Sequence, residues 1–191
     1  MEIVPIHYKK SEPVKKYAEI EQEAHEMASM IDAKDFNGVH RAAFALAHAQ
    51  VSTEPLAFFV LDKIFVTPFQ ENGDDAVFED RVIINPQILE APIYLRTKGA
   101  LFRGHDEFDG EELIPGKMPN SRQYQEGCMS FPHRKAKRLN RFNKIKVRYQ
   151  INGRFGLKNV TKWLEGLPSQ VFQHEFDHTQ GKNIFFEGHK N

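Results

Sequence analysis

Toward the C-terminal end of the chain runs Gln173-His174-Glu175-Phe176-Asp177-His178-Thr179-Gln180-Gly181. As a helix, this stretch sets two histidines four residues apart on one face, where both imidazoles can reach a single divalent cation. Glu175, beside the first histidine, projects close enough to take a proton from a water on that cation. Such a site also needs a third protein ligand from elsewhere if one coordination position is to stay open for water. An amphipathic helix with two surface histidines is the plainer alternative, because such a string also arises by chance.

The 191 residues suffice for one domain with a substantial core, and no Pro/Gly/Ser-rich linker or break in composition divides them. One domain over residues 1–191 is therefore expected. Lys+Arg and Asp+Glu both number 26, so no global field draws the chain to nucleic acid or to an anionic membrane. Neither a sequence-specific nucleic-acid partner nor a membrane partner is expected. No basic flank followed by an apolar run opens the chain, and no stretch approaches the ~20 apolar residues of a membrane span. The expectation is a soluble, non-secreted, cytoplasmic protein. Cys128 is the only cysteine, which excludes an intrachain disulfide and leaves its thiol as a buried hydrophobe, a reactive group or a ligand.

Hydrophobic patterning describes an α+β fold, mostly antiparallel sheet around the C-terminal motif helix. Glu2–Tyr8 is β-prone but broken by Pro5, which suits an edge or an arm. Ile20, Ala24, Met27 and Ile31 recur at helical spacing, predicting an amphipathic helix that ends near Asn37-Gly38. The small-residue run Val39 to Val51 lets the backbone approach a ligand closely. Pro55–Asp62, Ile64–Thr67 and Arg81–Pro86 read as strands, the last stopped by its proline, with a tight turn at Asn72-Gly73. Residues from Tyr94 to Gln125 lack periodicity and read as an inserted lid or a disordered excursion. Ile145–Tyr149 alternates, Asn152-Gly153 supplies a hairpin turn, and Arg154–Trp163 returns. Pro168 suits the first turn of the motif helix and Gly181 its C-terminal cap.

The third ligand has three candidates. A metzincin-type continuation would place a histidine at position 184, where this chain has Ile184. A gluzincin-type glutamate from a later helix is expected to be absent, since only Glu187 stands in the 13 residues after His178. Cys128 remains; a thiolate suits a divalent transition metal, although a lone cysteine is otherwise a buried structural residue.

Glu126-Gly127-Cys128-Met129-Ser130 resembles the EGCLS motif of peptide deformylases, and His174-Glu175-Phe176-Asp177-His178 resembles their HExDH motif, in the same order. Ala43 to Gln50 occupies the place of that family's GxGLAAxQ segment, and Ile84-Asn85-Pro86 resembles the end of one of its strands. The resemblance covers most of the chain and implies hydrolytic removal of the N-formyl group from formylmethionine on nascent polypeptides. It makes Cys128, His174 and His178 the ligands of one divalent transition metal, ferrous iron natively, with zinc, nickel or cobalt fitting the same set. Glu175 is then the acid–base, and the Gln50 amide and the Met129 backbone N–H are the oxyanion donors. Substrate contacts carried over are Phe44, Ala45, Glu126 and Gly127. Leu167 and Val171, seven and three residues before His174, can flank the metal from the helix.

Three departures qualify the resemblance. Ala43 and Ala45 replace glycines, and His48 replaces an alanine, so the far wall of the cleft is altered. The connection before Glu126 is longer than is usual in the family. The family's C-terminal helix beyond the motif is not expected in Thr179–Asn191, so a transient ribosome contact would use the basic run Arg134–Arg141. A monomer is expected. A metallopeptidase or other amidase on the same scaffold, and a non-catalytic protein that keeps its metal for stability, are the other readings.

Overall fold

The computed structural model describes residues 1–4, 9–36, 39–40, 42–67, 76–91, 94–95, 101–102 and 121–185. They form helices α1 (Glu21–Ala33) and α2 (Leu167–Thr179). The first strands are β1 (Asp35–Phe36), β2 (Val39–His40), β3 (Ala45–Ala47), β4 (Phe58–Leu61) and β5 (Val82–Glu90). Two short ones follow, β6 (Tyr94–Leu95) and β7 (Leu101–Phe102), then β8 (Ser121–Glu126), β9 (Lys137–Phe142), β10 (Lys144–Gly153) and β11 (Gly156–Glu165). Five strands make one antiparallel sheet in the order β11-β10-β5-β4-β3, while β1-β2, β6-β7 and β8-β9 are two-stranded ribbons. The expected α+β class, with antiparallel sheet around the motif helix, is the fold found.

Both faces of the central sheet are covered, so β4 reads as the unbroken apolar run Phe58-Phe59-Val60-Leu61. Phe58 and Val60 join Ala24, Met27 and Ile31 of α1 in one core cluster. Phe59 and Leu61 join Val171 and Phe172 of α2, with Tyr149 and Ile83, in the other. Phe172 is wholly buried and meets Phe59 edge-on at 5.5 Å; burying a side chain of this size contributes about 1.5–3 kcal/mol. Among the described residues no helix is long and apolar enough to cross a membrane.

Several local expectations change. Ile64–Thr67 is not a strand: Asp62 Oδ1 accepts from Ile64 N at 2.9 Å and caps a single 3₁₀ turn, Lys63–Phe65. β5 does not stop at Pro86. Its pairing with β4 ends at Ile84, leaving β10 as its partner, and the register with β10 shifts between Arg148 and Gln150. In such a bulge the missing proline N–H removes no ladder bond. Asn85 turns the corner with φ 48°, its Nδ2 donating to Val14 O at 2.8 Å and Gln150 Oε1 at 2.7 Å.

The β10–β11 hairpin turns at Arg154-Phe155, because Asn152 and Gly153 are still paired, with Leu157 and Gly156. α1 ends at Ala33 with Lys34 left-handed, short of the predicted boundary; Asn37-Gly38 lies outside the described residues. So do the Asn72-Gly73 turn, Pro5–Tyr8 and most of the 94–125 excursion, of which Ser121–Gln125 is strand β8, paired with β9.

Candidate metal centre

α2 is fastened to the end of β9 by polar groups that are buried and satisfied. Ser169 Oγ and Gln173 Nε2 both donate to Phe142 O at 2.8 Å, and Gln173 Oε1 accepts from Phe142 N at 3.1 Å. Pro168 sits in its first turn, and Gly181, at φ 73°, closes its far end with its N–H on His178 O, a conformation glycine adopts without strain. With the helix held at this rotation, His174 and His178 turn to one side, their ring centroids 5.1 Å apart.

Cys128, carried in by the loop after β8, meets both imidazoles there. One ligand atom from each of Cys128, His174 and His178 falls within 4.8 Å of the others, and Cys128 Sγ stands 3.3 Å from His178 Nε2. Burial pushes the thiol up, but the charge of His178 and hydrogen bonds from both histidines outweigh it and hold Cys128 well below its ordinary range. Beside the cluster, the 4 % exposed Glu175 leaves one carboxylate oxygen buried without a hydrogen-bond partner, and burial raises its pKa. A thiolate and two imidazoles are donors that suit a divalent transition metal, so the residues present fit it.

Behind His174 lies a network that sequence reasoning missed. His174 Nδ1 is 2.9 Å from Glu126 Oε2, which leaves the other ring nitrogen available as a ligand atom. Arg141 grips Glu126 through Nε and an Nη at 3.0 and 2.9 Å, and reaches Asp177 with its other Nη at 2.6 Å. Burial alone would raise the Glu126 carboxyl, yet His174 and Arg141 hold it at about 2. The carboxylate expected to touch substrate is thus occupied within the protein. Arg141, read from sequence as the last member of a basic surface run, is buried at 7 % exposure. The available signals were Phe142 after it, where the chain turns inward, and Asp177 one helical turn beyond His174.

The cluster opens into a cavity of about 560 Å³, and every predicted site residue except His178 lines it. Gln50 ends a 3₁₀ turn after β3; Ala47 N holds its Oε1 at 2.9 Å, which aims Nε2 at Ser130 Oγ (3.2 Å) and Cys128 Sγ (3.6 Å). A Cβ built on Gly127 would meet nothing within 4 Å, so this backbone lies open to the cleft. Phe44 and Leu167 are exposed at the rim, while Ala45, Met129 and Val171 are buried. Ala43 and Ala45 carry no strain, because among the described residues the non-glycine positions with positive φ are Lys34 and Asn85. His48 does not line the cavity: it stacks on Phe58 at 4.7 Å and accepts from Leu56 N at 2.9 Å.

Comparison with known proteins gives the family. The family model described as polypeptide deformylase matches residues 3–187. The chain is 33% identical over 178 residues to a peptide deformylase of Thermotoga neapolitana, covering 93% of this chain and 77% of that one. With the peptide deformylase of Thermotoga maritima the identity is 31% over the same length and the same shares. A crystal structure of peptide deformylase from Thermotoga maritima superposes with a TM-score of 0.60 at 26% identity, covering 96% of this chain and 95% of that one. The chain therefore belongs to the polypeptide deformylase family and to the enzyme class of that name.

Proposed function

We propose that this protein removes the N-formyl group from the N-terminal formylmethionine of nascent polypeptides, as a metal-dependent amide hydrolase acting through one catalytic domain over residues 1–191. The observation that carries the reading is the orphaned oxygen of Glu175, buried beside the Cys128-His174-His178 cluster and facing the same cleft as the Gln50 amide. Cys128, His174 and His178 hold the ion, proposed as ferrous iron, with zinc, nickel or cobalt suited to the same donors. When bound, it supplies Lewis acidity, acidifying water and polarising a carbonyl at its open position.

The remaining work belongs to side chains. Glu175, its pKa raised by burial, accepts the proton of the attacking water and passes it to the departing amine, so the formyl C–N bond breaks as formate forms. The Gln50 Nε2–H and the Met129 backbone N–H serve the oxyanion; one such donor is worth about 3 kcal/mol. Ala47 supplies the positioning by holding the Gln50 oxygen. Phe44, Ala45, Leu167 and Val171 form an apolar wall for the methionine side chain, and the open backbone at Gly127 takes the peptide chain. Arg141, through Glu126, keeps His174 turned toward Cys128. We place the protein in the cytoplasm as a monomer. Transient ribosome contact would use Lys135 and Arg138 of the Arg134–Arg141 run, since Arg141 is withdrawn into the site.

Formate release from formyl-Met peptides by the metal-loaded protein, with unformylated peptides tested alongside for internal cleavage, tests the reading. Formate without internal cleavage is expected. Internal cleavage without formate would replace it with a peptidase.

A further inference from the structure

Arg134 stands in the wall of the cleft in an arrangement the reaction above does not use. Its guanidinium carbon lies 5.0 Å from the ring centroids of both Phe131 and Phe185, and those rings pack against each other edge-on at 4.7 Å. Its backbone N–H is also tied, to Phe131 O at 3.0 Å. A guanidinium clamped in this way has already lost much of its rotamer freedom, so a partner binding its fork meets a smaller ordering cost.

No carboxylate pairs with Arg134 among the described residues. Of the other charged groups lining the cavity, Glu126 is committed to Arg141 and His174 and Cys128 to the two histidines, while Glu175 is buried beside that cluster. The sequence around Arg134 offers no counter-charge either. From Gly127 to Leu164 it holds 11 Lys and Arg and no Asp or Glu, within a chain that is neutral overall. A preorganised cation on the wall of a peptide cleft, with no ion-pair partner among the described residues, is matched by a carboxylate on the peptide.

We propose that Arg134 is a specificity-determining residue that favours formylated peptides carrying an acidic side chain just downstream of the methionine. The proposal rests on the deformylase reading and adds a substrate preference to it. Lys135 and Arg138 are exposed nearby in sequence, and they add a general positive field that the test must separate from Arg134 itself.

The experiment measures kcat/KM for formate release from formyl-Met-Glu-Glu-Ser, formyl-Met-Ala-Ala-Ser and formyl-Met-Lys-Lys-Ser with wild type, Arg134→Met and Arg134→Glu at low and high salt. Wild type is expected to favour the Glu peptide over the Lys peptide by about fivefold at low salt and less at high salt. Arg134→Met should remove most of that ratio and Arg134→Glu should invert it. A ratio unchanged in Arg134→Met would assign the preference to the surrounding field and overturn the proposal. So would a loss equal for all three peptides, which would make Arg134 a strut for Phe131 and Phe185. Absence of formate from every peptide would instead overturn the deformylase reading, and the proposal with it.

Discussion

Arg141 and Glu126 meet in a two-pronged ion pair beneath the cleft, at 3.0 and 2.9 Å, and the same Glu126 carboxylate reaches His174 Nδ1 at 2.9 Å. Orientation of the histidine is therefore supported, through Glu126, by an arginine outside the Cys128-His174-His178 cluster. Arg141→Lys keeps the charge and loses the fork, so metal affinity is expected to fall about 10–100-fold. Competition with a chelator measures it. Arg141→Met leaves Glu126 buried without its cation and is expected to cost about 3–5 kcal/mol in denaturant unfolding. Equal chelator competition by wild type and Arg141→Lys would show that His174 needs no such support.

His48 supplies a pH-dependent share of stability. Burial pushes its pKa down to about 4, so the folded protein keeps it neutral where the unfolded chain, titrating near 6.5, would protonate it. Its folded value lies below the unfolded one; the contribution is therefore complete above about pH 6.5 and lost as pH falls toward 4. Around the ring are Phe58, Leu56 N and, 3.1 Å from Nε2, Glu23 Oε2. Between pH 7.5 and 5 the loss is about 2 kcal/mol. The stability gap between wild type and His48→Gln should narrow by that amount over this range in parallel urea titrations; a gap independent of pH would mean the ring is not kept neutral by folding.

Gly127→Ala tests the cleft backbone without disturbing the fold. Nothing lies within 4 Å of the added methyl and Gly127 has no positive φ, so the unfolding midpoint and metal content are expected to hold. The methyl enters the space proposed for the peptide, so KM for a formyl-Met peptide should rise several-fold. A lower midpoint with unchanged KM would place Gly127 in the packing instead.

How much of this was legible in the sequence depended on where each signal resides. α1 and α2 announced themselves because Ala24, Met27 and Ile31, or His174 and His178, are neighbours one turn apart, and local periodicity records that. Cys128 was within reach through a short motif and the chemistry of a missing ligand. Arg141 was not, because its role comes from a contact 15 residues away across the β8–β9 ribbon, and locally it resembles the exposed Arg138. The strand assigned to Ile64–Thr67 failed for a different reason: a capping bond from Asp62 overrode β-prone composition. Pro86 was misread because a stop signal assumes an uninterrupted ladder, whereas β5 carries its proline at a bulge with a partner on one side. Ala43 and Ala45 stand where the family pattern has glycines, yet neither position has a positive φ.

The proposed chemistry requires that the Cys128-His174-His178 cluster and Glu175 make one site. The most direct measurement is metal content together with formate release from a formyl-Met peptide, for wild type, Cys128→Ala and Glu175→Gln. Wild type should hold one ion and release formate, Cys128→Ala should lose both, and Glu175→Gln should keep the ion while its formate release falls at least about a hundredfold. Full metal content in Cys128→Ala, or undiminished formate release by metal-loaded Glu175→Gln, would contradict it.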